Sequence, residues 1–128
     1  MQINRIDHLV LTVADIDRSV EFYERALGME KITFGAGRIA LAFGRHKINL
    51  HQHGAEFMPN AQNALPGSAD LCFVIDTPIE DALAELRQQG IDVIEGPVER
   101  SGATGGIISI YLRDPDGNLL ELSNYILV

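Results

Sequence analysis

The sequence predicts an α+β fold made of two tandem β-α-β-β-β modules whose sheets curve around a shared cavity. Three observations predict it: apolar residues alternating at strand period, two helical stretches each stopped by a glycine, and a recurrence of the whole pattern. His8 and Asp70 lie 62 positions apart, Gly28 and Gly90 lie 62 apart, and the triplets Ile48-Asn49-Leu50 and Leu120-Glu121-Leu122 lie 72 apart. The extra ten positions are expected in the glycine-rich stretch of the second copy. One copy alone is too small to enclose a core, so the 128 residues read as a single domain with modules at about 3–52 and 69–126.

From Ile6 to Val13, Leu9, Leu11 and Val13 point to one face while Ile6, His8, Val10 and Thr12 point to the other, as in a strand. Asp15 is placed to cap a helix in which Ile16, Val20, Tyr23 and Leu27 recur at helical spacing, with Gly28 as its left-handed stop. Short strands are expected near 30–34, 38–43 and 47–51, punctuated by Gly35, Gly37 and Gly44. A connection from about 52 to 69 carries the turn residues Pro59, Asn60, Pro66 and Gly67. Leu71, Phe73 and Ile75 then alternate with Asp70, Cys72 and Val74 as a new first strand. Thr77-Pro78-Ile79-Glu80 has the form of a capping box with proline at the first helical position. Ile79, Leu83 and Leu86 give that second helix its apolar face, and Gly90 ends it. Strands near 92–95, 107–113 and 119–125 complete the copy, the last two joined by the turn Asp114-Pro115-Asp116-Gly117.

Ten Lys and Arg against 18 Asp and Glu leave a net charge of −8, a field that repels nucleic-acid phosphates and anionic lipid. Neither nucleic acid nor membrane is therefore expected as a partner. With 46% hydrophobic and 22% charged residues the chain can bury enough apolar surface to fold as a globule. No apolar run reaches the ~18 residues of a membrane helix, the N-terminus enters a strand directly, and a cytoplasmic location is expected. The single cysteine, Cys72, excludes an internal disulfide and a Cys-rich zinc site and is expected to be a small core residue.

Asp7-His8-Leu9-Val10-Leu11-Thr12-Val13, Ser19-Val20-Glu21-Phe22-Tyr23 leading to Leu27-Gly28-Met29, and Asp114-Pro115-Asp116-Gly117-Asn118-Leu119-Leu120-Glu121-Leu122 carry a wider likeness. Through them essentially the whole chain resembles the vicinal oxygen chelate superfamily of glyoxalase I, bleomycin- and fosfomycin-resistance proteins, extradiol dioxygenases and methylmalonyl-CoA epimerases. Phe43-Gly44, Ile48-Asn49-Leu50-His51, Pro66-Gly67-Ser68 and Ser109-Ile110-Tyr111 are similar to the subgroup of glyoxalase domain-containing protein 5. The resemblance implies a divalent metal between the modules, held from the first and fourth strand of each, at His8, Asn49, Asp70 and Glu121. His8 and Glu121 match that pattern, an imidazole and a carboxylate suited to Mn, Fe, Ni or Zn, with Glu121 also the candidate catalytic group.

Asn49 stands where glyoxalase I has a glutamate, and Asp70 stands where many members have histidine. An amide cannot accept a proton from carbon, which counts against a glyoxalase I mechanism based at position 49. Asp70 with His8 and Glu121 would make a hard site leaning to Mn or Mg, whereas His51, on the same strand face as Asn49, would make a two-histidine, one-carboxylate iron set. Against both stands a plainer pattern. Lys47, Asn49, His51 and His53 alternate with Ile48 and Leu50 as the solvent face of a strand would, and an aspartate at a strand start also suits capping of the preceding turn.

Ser101-Gly102-Ala103-Thr104-Gly105-Gly106 opens a strand and not a helix, so a mobile flap is expected there in preference to a phosphate cradle. Arg38, Arg100 and Arg113 could each hold a carboxylate, although acids on the surface offer them simpler partners. Phe57 and Met58 could line the cavity or anchor their loop. Two functions follow from these readings. One is a metal-dependent enzyme on a small oxygenated substrate, by isomerase, lyase or dioxygenase chemistry, in a homodimer that the resemblance implies. The other is a metal-free binding or sequestering protein of the bleomycin-resistance type.

Overall fold

In the computed structural model, which describes residues 1–127, the alternating and helical stretches become ten elements. They are β1 (His8–Val13), α1 (Ile16–Leu27), β2 (Glu30–Phe34), β3 (Arg38–Phe43), β4 (His46–Gln52), β5 (Asp70–Val74), α2 (Ile79–Gln88), β6 (Glu95–Gly102), β7 (Gly105–Arg113) and β8 (Leu119–Tyr125). The chain divides into two units, Met1–Ser68 and the residues from Ala69 onward. Each is a four-stranded sheet with one helix, in the orders β1-β4-β3-β2 and β5-β8-β7-β6. First and fourth strands pair in parallel in each, and the others pair antiparallel. A parallel pair needs a long crossover, which the helix and the two intervening strands supply. The α+β class and the two similar halves are as predicted. No helix among the described residues is long and apolar enough to cross a membrane.

In the first unit the Asp15 side chain accepts the Arg18 amide at 3.1 Å and Gly28 closes α1 at φ 66°, as their residue types require. Val20 and Tyr23 of α1 are buried, as are Leu11 and Val13 of β1, Leu41 of β3, and Ile48 and Leu50 of β4. In the second unit Ile79, Ala82, Leu83 and Leu86 of α2 are buried, together with Ile110, Leu112, Leu120 and Leu122 of β7 and β8. One face of each sheet is thereby committed to its helix, leaving the opposite face for polar groups.

The capping box at Thr77 does not form. Pro78 is itself the N-cap, in extended geometry, and carries no side-chain acceptor. The first amide of α2, at Ile79, instead donates to Oδ1 of Asn124 on β8 at 2.7 Å. Asn124 Nδ2 donates in turn to the carbonyls of Ile75 and Thr77, both at 3.0 Å. Gln52, at the end of β4, does the same work in the first unit: its Oε1 accepts the Ile16 amide at 3.2 Å and its Nε2 donates to the Ala14 carbonyl at 2.6 Å.

The strand expected near 92–95 runs instead from Glu95 to Gly102, and the glycine-rich stretch lies largely in a hairpin. Gly102 pairs with Gly105 around a tight turn at Ala103 and Thr104, whose amide donates to the Tyr125 hydroxyl at 3.3 Å. The added positions therefore lengthen β6 and β7, and the stretch expected as a flap is a hairpin whose Ser101, Gly102 and Ala103 line a cavity. A register shift between Glu95 and Val98 hides the strand pattern. Gly96 makes that shift possible at φ 101°, where a Cβ would collide with the Ser109 carbonyl.

Asn124→Ala is expected to destabilise the protein by about 1–3 kcal/mol, because the Ile79 amide and two carbonyls lose their partner in a half-buried setting. Urea unfolding measures it, with the exposed loop substitution Asn60→Ala staying within about 0.5 kcal/mol of the parent.

Candidate functional site

On the face of the first sheet turned from the helix, strand register sets three rows: His8 beside Lys47 and Ala42, Val10 beside Asn49 and Ala40, and Thr12 beside His51. A solvent face would leave the middle strand exposed, yet Asn49 is 4% and His51 3% exposed. That pattern is corrected because β4 lies between β1 and β3 and because Arg38 and Phe57 close over it. An Arg38 Nη2 hydrogen donates to His51 Nε2 at 3.2 Å, and the guanidinium carbon lies 5.2 Å from the Phe34 ring centre and 4.7 Å from that of Phe57. Phe57 meets His51 edge-on at 5.5 Å, while its neighbour Met58 stays in solvent.

Arginine can only donate, so His51 Nε2 accepts and the ring proton sits on Nδ1. Burial first, and then the Arg38 charge, hold the His51 pKa below its ordinary value, so the ring is neutral at neutral pH. Neither His51 Nδ1 nor Asn49 Oδ1 has a hydrogen-bond partner, although both atoms are buried.

His8 opens β1 with its Nδ1 2.8 Å from Asp7 Oδ1. A proton on Nδ1 on that side leaves the lone pair on Nε2. The hydrogen bond from His8 is also the main cause that keeps the Asp7 carboxyl below its usual range.

In the second unit, register places Cys72, Glu121 and Tyr111 side by side. They line a cavity of about 370 Å³ with Arg100, Ser123 and Tyr125. Ser109 Oγ donates to Glu121 Oε2 at 2.6 Å and fixes the carboxylate. Arg100 Nε donates to the Tyr111 hydroxyl at 3.1 Å, and its Nη2 pairs with Glu95 at 3.0 Å. Burial is the first cause that raises the Tyr111 pKa, so the phenol keeps its proton and can donate it toward the cavity.

Cys72 is not a core residue. Alternation along β5 puts it on the face away from α2, its Sγ 3.0 Å from Ser123 Oγ. Desolvation pushes its thiol up, and the nearby charges of Glu121 and Asp70 add to the shift. Asp70 starts β5 one row away and is exposed. The turn before it is tied by Asn118, whose Oδ1 accepts the Ala69 amide at 2.8 Å, so Asp70 is not needed as the cap.

Of the candidate ligands, His8 and His51 thus share a face of the first sheet, and Asp70 and Glu121 share one of the second. Among the described residues no three His, Cys, Asp or Glu side chains gather at one point. The sequence pattern did not single out Tyr111 or Ser109 as neighbours of Glu121, although period-two counting along a strand paired with β8 points both at the same face.

A sequence profile described as the Glyoxalase/Bleomycin resistance protein/Dioxygenase superfamily matches residues 5–122. The chain is 60% identical to virulence protein STM3117 of Salmonella typhimurium, over 98% of this chain and 88% of that one. The crystal structure of STM3117 superposes with a TM-score of 0.97, covering 98% of this chain and 100% of the other. Glyoxalase domain-containing protein RDO1 of Mycosarcoma maydis is 56% identical over 98% of this chain and 70% of its own. At greater distance, metallothiol transferase FosB of Shouchella clausii is 26% identical over 94% of this chain and 80% of its own.

Two outcomes follow from the shifted groups. Alkylation of Cys72 by iodoacetamide, read by mass spectrometry, is expected to reach half its maximal rate above the free-thiol value of about pH 8.5. For His51 the fold favours the neutral ring, so the stabilisation is complete above the unfolded value of about 6.5 and declines as pH falls from there toward the depressed folded value. Urea midpoints between pH 7 and 5 are expected to fall further for the parent than for His51→Gln.

Proposed function

Because this chain belongs to the glyoxalase/bleomycin resistance protein/dioxygenase superfamily, we propose that it is a metal-dependent enzyme acting on a small oxygenated substrate, with His8, Asp70 and Glu121 as metal ligands. The observation that supports this reading is that each residue matching the family pattern has a side chain oriented by a neighbour. Asp7 holds Nδ1 of the His8 ring, and Ser109 fixes the Glu121 carboxylate at a cavity wall. One imidazole nitrogen with two carboxylates is a hard-to-borderline donor set, suited to Mn, Fe or Ni and compatible with Zn. His51 is omitted from the set, because a guanidinium at 3.2 Å from its Nε2 would repel a cation there.

Bound there, the ion would supply Lewis acidity to two neighbouring substrate oxygens. The chain's own groups do the remainder. Glu121 is the one carboxylate among the described cavity residues and the group available to take a proton from substrate and return it. Tyr111, whose oxygen is occupied by the Arg100 Nε–H, directs its own proton at negative charge developing on a substrate oxygen. Asn49, an amide, takes no part in proton transfer. Isomerisation, elimination and dioxygenation are the reaction classes in view, carried out by a homodimer in the cytoplasm. A metal-free binding role is the second reading, favoured by the amide at position 49 and by a cavity wall of tyrosines and arginine.

Metal titration by calorimetry with Mn, Fe, Ni and Zn in turn separates the two. About one ion per chain is expected, with affinity falling roughly 10–100-fold in His8→Ala and in Glu121→Gln. Uptake that is substoichiometric for every metal, or unchanged in both variants, leaves the binding role.

A further inference from the structure

We infer that Arg38 and His51 form a recognition site for a carboxylate on the first sheet, beside Asn49, and that the small molecule bound by this protein carries that carboxylate. The starting observation is a charge without its usual partner. Acids outnumber bases by 18 to 10 in this chain, and Arg100 has found one in Glu95. Arg38 is half-buried, yet among the described residues no carboxylate pairs with it. Its surroundings are rings: Phe34, Phe57 and the neutral imidazole of His51. Stacking holds a guanidinium in place without using its N–H groups, and the bond to His51 uses only one of the five. A planar fork of donors is left, pre-positioned and still to be satisfied.

Two further observations are independent of the charge. His51 Nδ1 carries a buried proton with no acceptor, and Asn49 Oδ1 is a buried acceptor with no donor. Folded proteins leave few such atoms, and two on neighbouring positions of one strand face mark a place where a polar group belongs. On the β3 side of Asn49 and Lys47 the register puts Ala40 and Ala42, so that side of the face has little side-chain bulk. Lys47 adds a second cation against the Phe34 ring, its Nζ 3.7 Å from the ring centre.

The chemistry selects the class of ligand. A guanidinium fork matches the two oxygens of a carboxylate and the His51 Nδ1–H can donate to one, whereas Asn49 Oδ1, an acceptor, calls for a hydroxyl or amine elsewhere on the ligand. A phosphate dianion is a poorer match, because among the described residues there Arg38 is the one forked donor, Lys47 lies against the Phe34 ring and the Glu56 carboxylate acts on His51 from nearby. The His51 row lies two strand repeats from that of His8, about 13 Å along the strand. The carboxylate would therefore sit apart from the oxygens of the substrate that undergo reaction. Assigning it to the substrate of an enzyme rests on the reading under Proposed function, whereas the site itself does not.

Titration of ¹⁵N-labelled protein with sodium acetate at pH 7, against sodium chloride and sodium phosphate at matched ionic strength, tests the inference through the arginine Nε–H and histidine ring resonances. Acetate is expected to shift Arg38 Nε–H and the His51 ring saturably, with chloride and phosphate giving weaker or linear changes. Arg38→Lys should weaken acetate binding at least tenfold and Arg38→Gln should abolish it, while the exposed Arg113→Gln binds as the parent does. An unchanged backbone amide spectrum at Val20 and Tyr23 shows that the Arg38 variants are folded. Acetate shifts that persist in His8→Ala keep the site even if metal binding fails, and then assign it to a metal-free binder. Equal response in Arg38→Gln and parent, no saturable response to acetate, or tighter binding of phosphate overturns it.

Discussion

In both units the fourth strand is flanked by the first strand, running parallel, and the third, running antiparallel, and everything else depends on that placement. A strand with neighbours on both sides must give one face to the helix, so each alternate side chain is driven to the other face whatever its chemistry. On β4 this brings Lys47, Asn49 and His51 to the polar face, and on β8 it brings Glu121 and Ser123. Burial of the apolar set is worth roughly 1.5–3 kcal/mol for each large side chain, which fixes the register and with it the direction of every candidate functional group.

The two halves share a backbone plan and differ in what they mount on it. Asn49 and Glu121 occupy matching positions, yet one is an amide with an unpartnered oxygen and the other a carboxylate gripped by Ser109. His8 is turned by Asp7, and its counterpart Asp70 stands in solvent. The first face gathers an unpaired guanidinium and a lysine around Phe34, whereas the second gathers acids, a protonated thiol and a phenol. The duplicated scaffold thus mounts Arg38 and Lys47 on one face and, on the other, Glu121 and Asp70 with Cys72, Tyr111 and Arg100.

Much of this was legible in the residues because it rests on local periodicity. The bounds of β2, β3 and β8 and both ends of α1 follow from alternation, an aspartate cap and a glycine stop. What was not legible depends on contacts distant in sequence. β6 escaped because the bulge at Gly96 breaks the alternating count, and Cys72 was misplaced because a cysteine's size suits a core while its strand phase does not. The union of Arg38 with His51 and Phe57 joins two strands and a loop, so no spacing rule announces it. Gln52 and Asn124 are a different case. They stand 72 positions apart, the same interval as the paired triplets, and that interval marks them as equivalent amides at the ends of equivalent strands.

Those two amides also set an order of assembly. The first amide of each helix is taken by a residue on the last strand of its own sheet, so that bond forms only when the final strand arrives, although Asp15 already caps α1 locally. The four strands of the leading sheet have all been made once position 52 has cleared the exit tunnel, whereas the trailing sheet waits for position 124. During synthesis there is therefore a stage at which every strand of one sheet is present and the face bearing Glu121 does not yet exist.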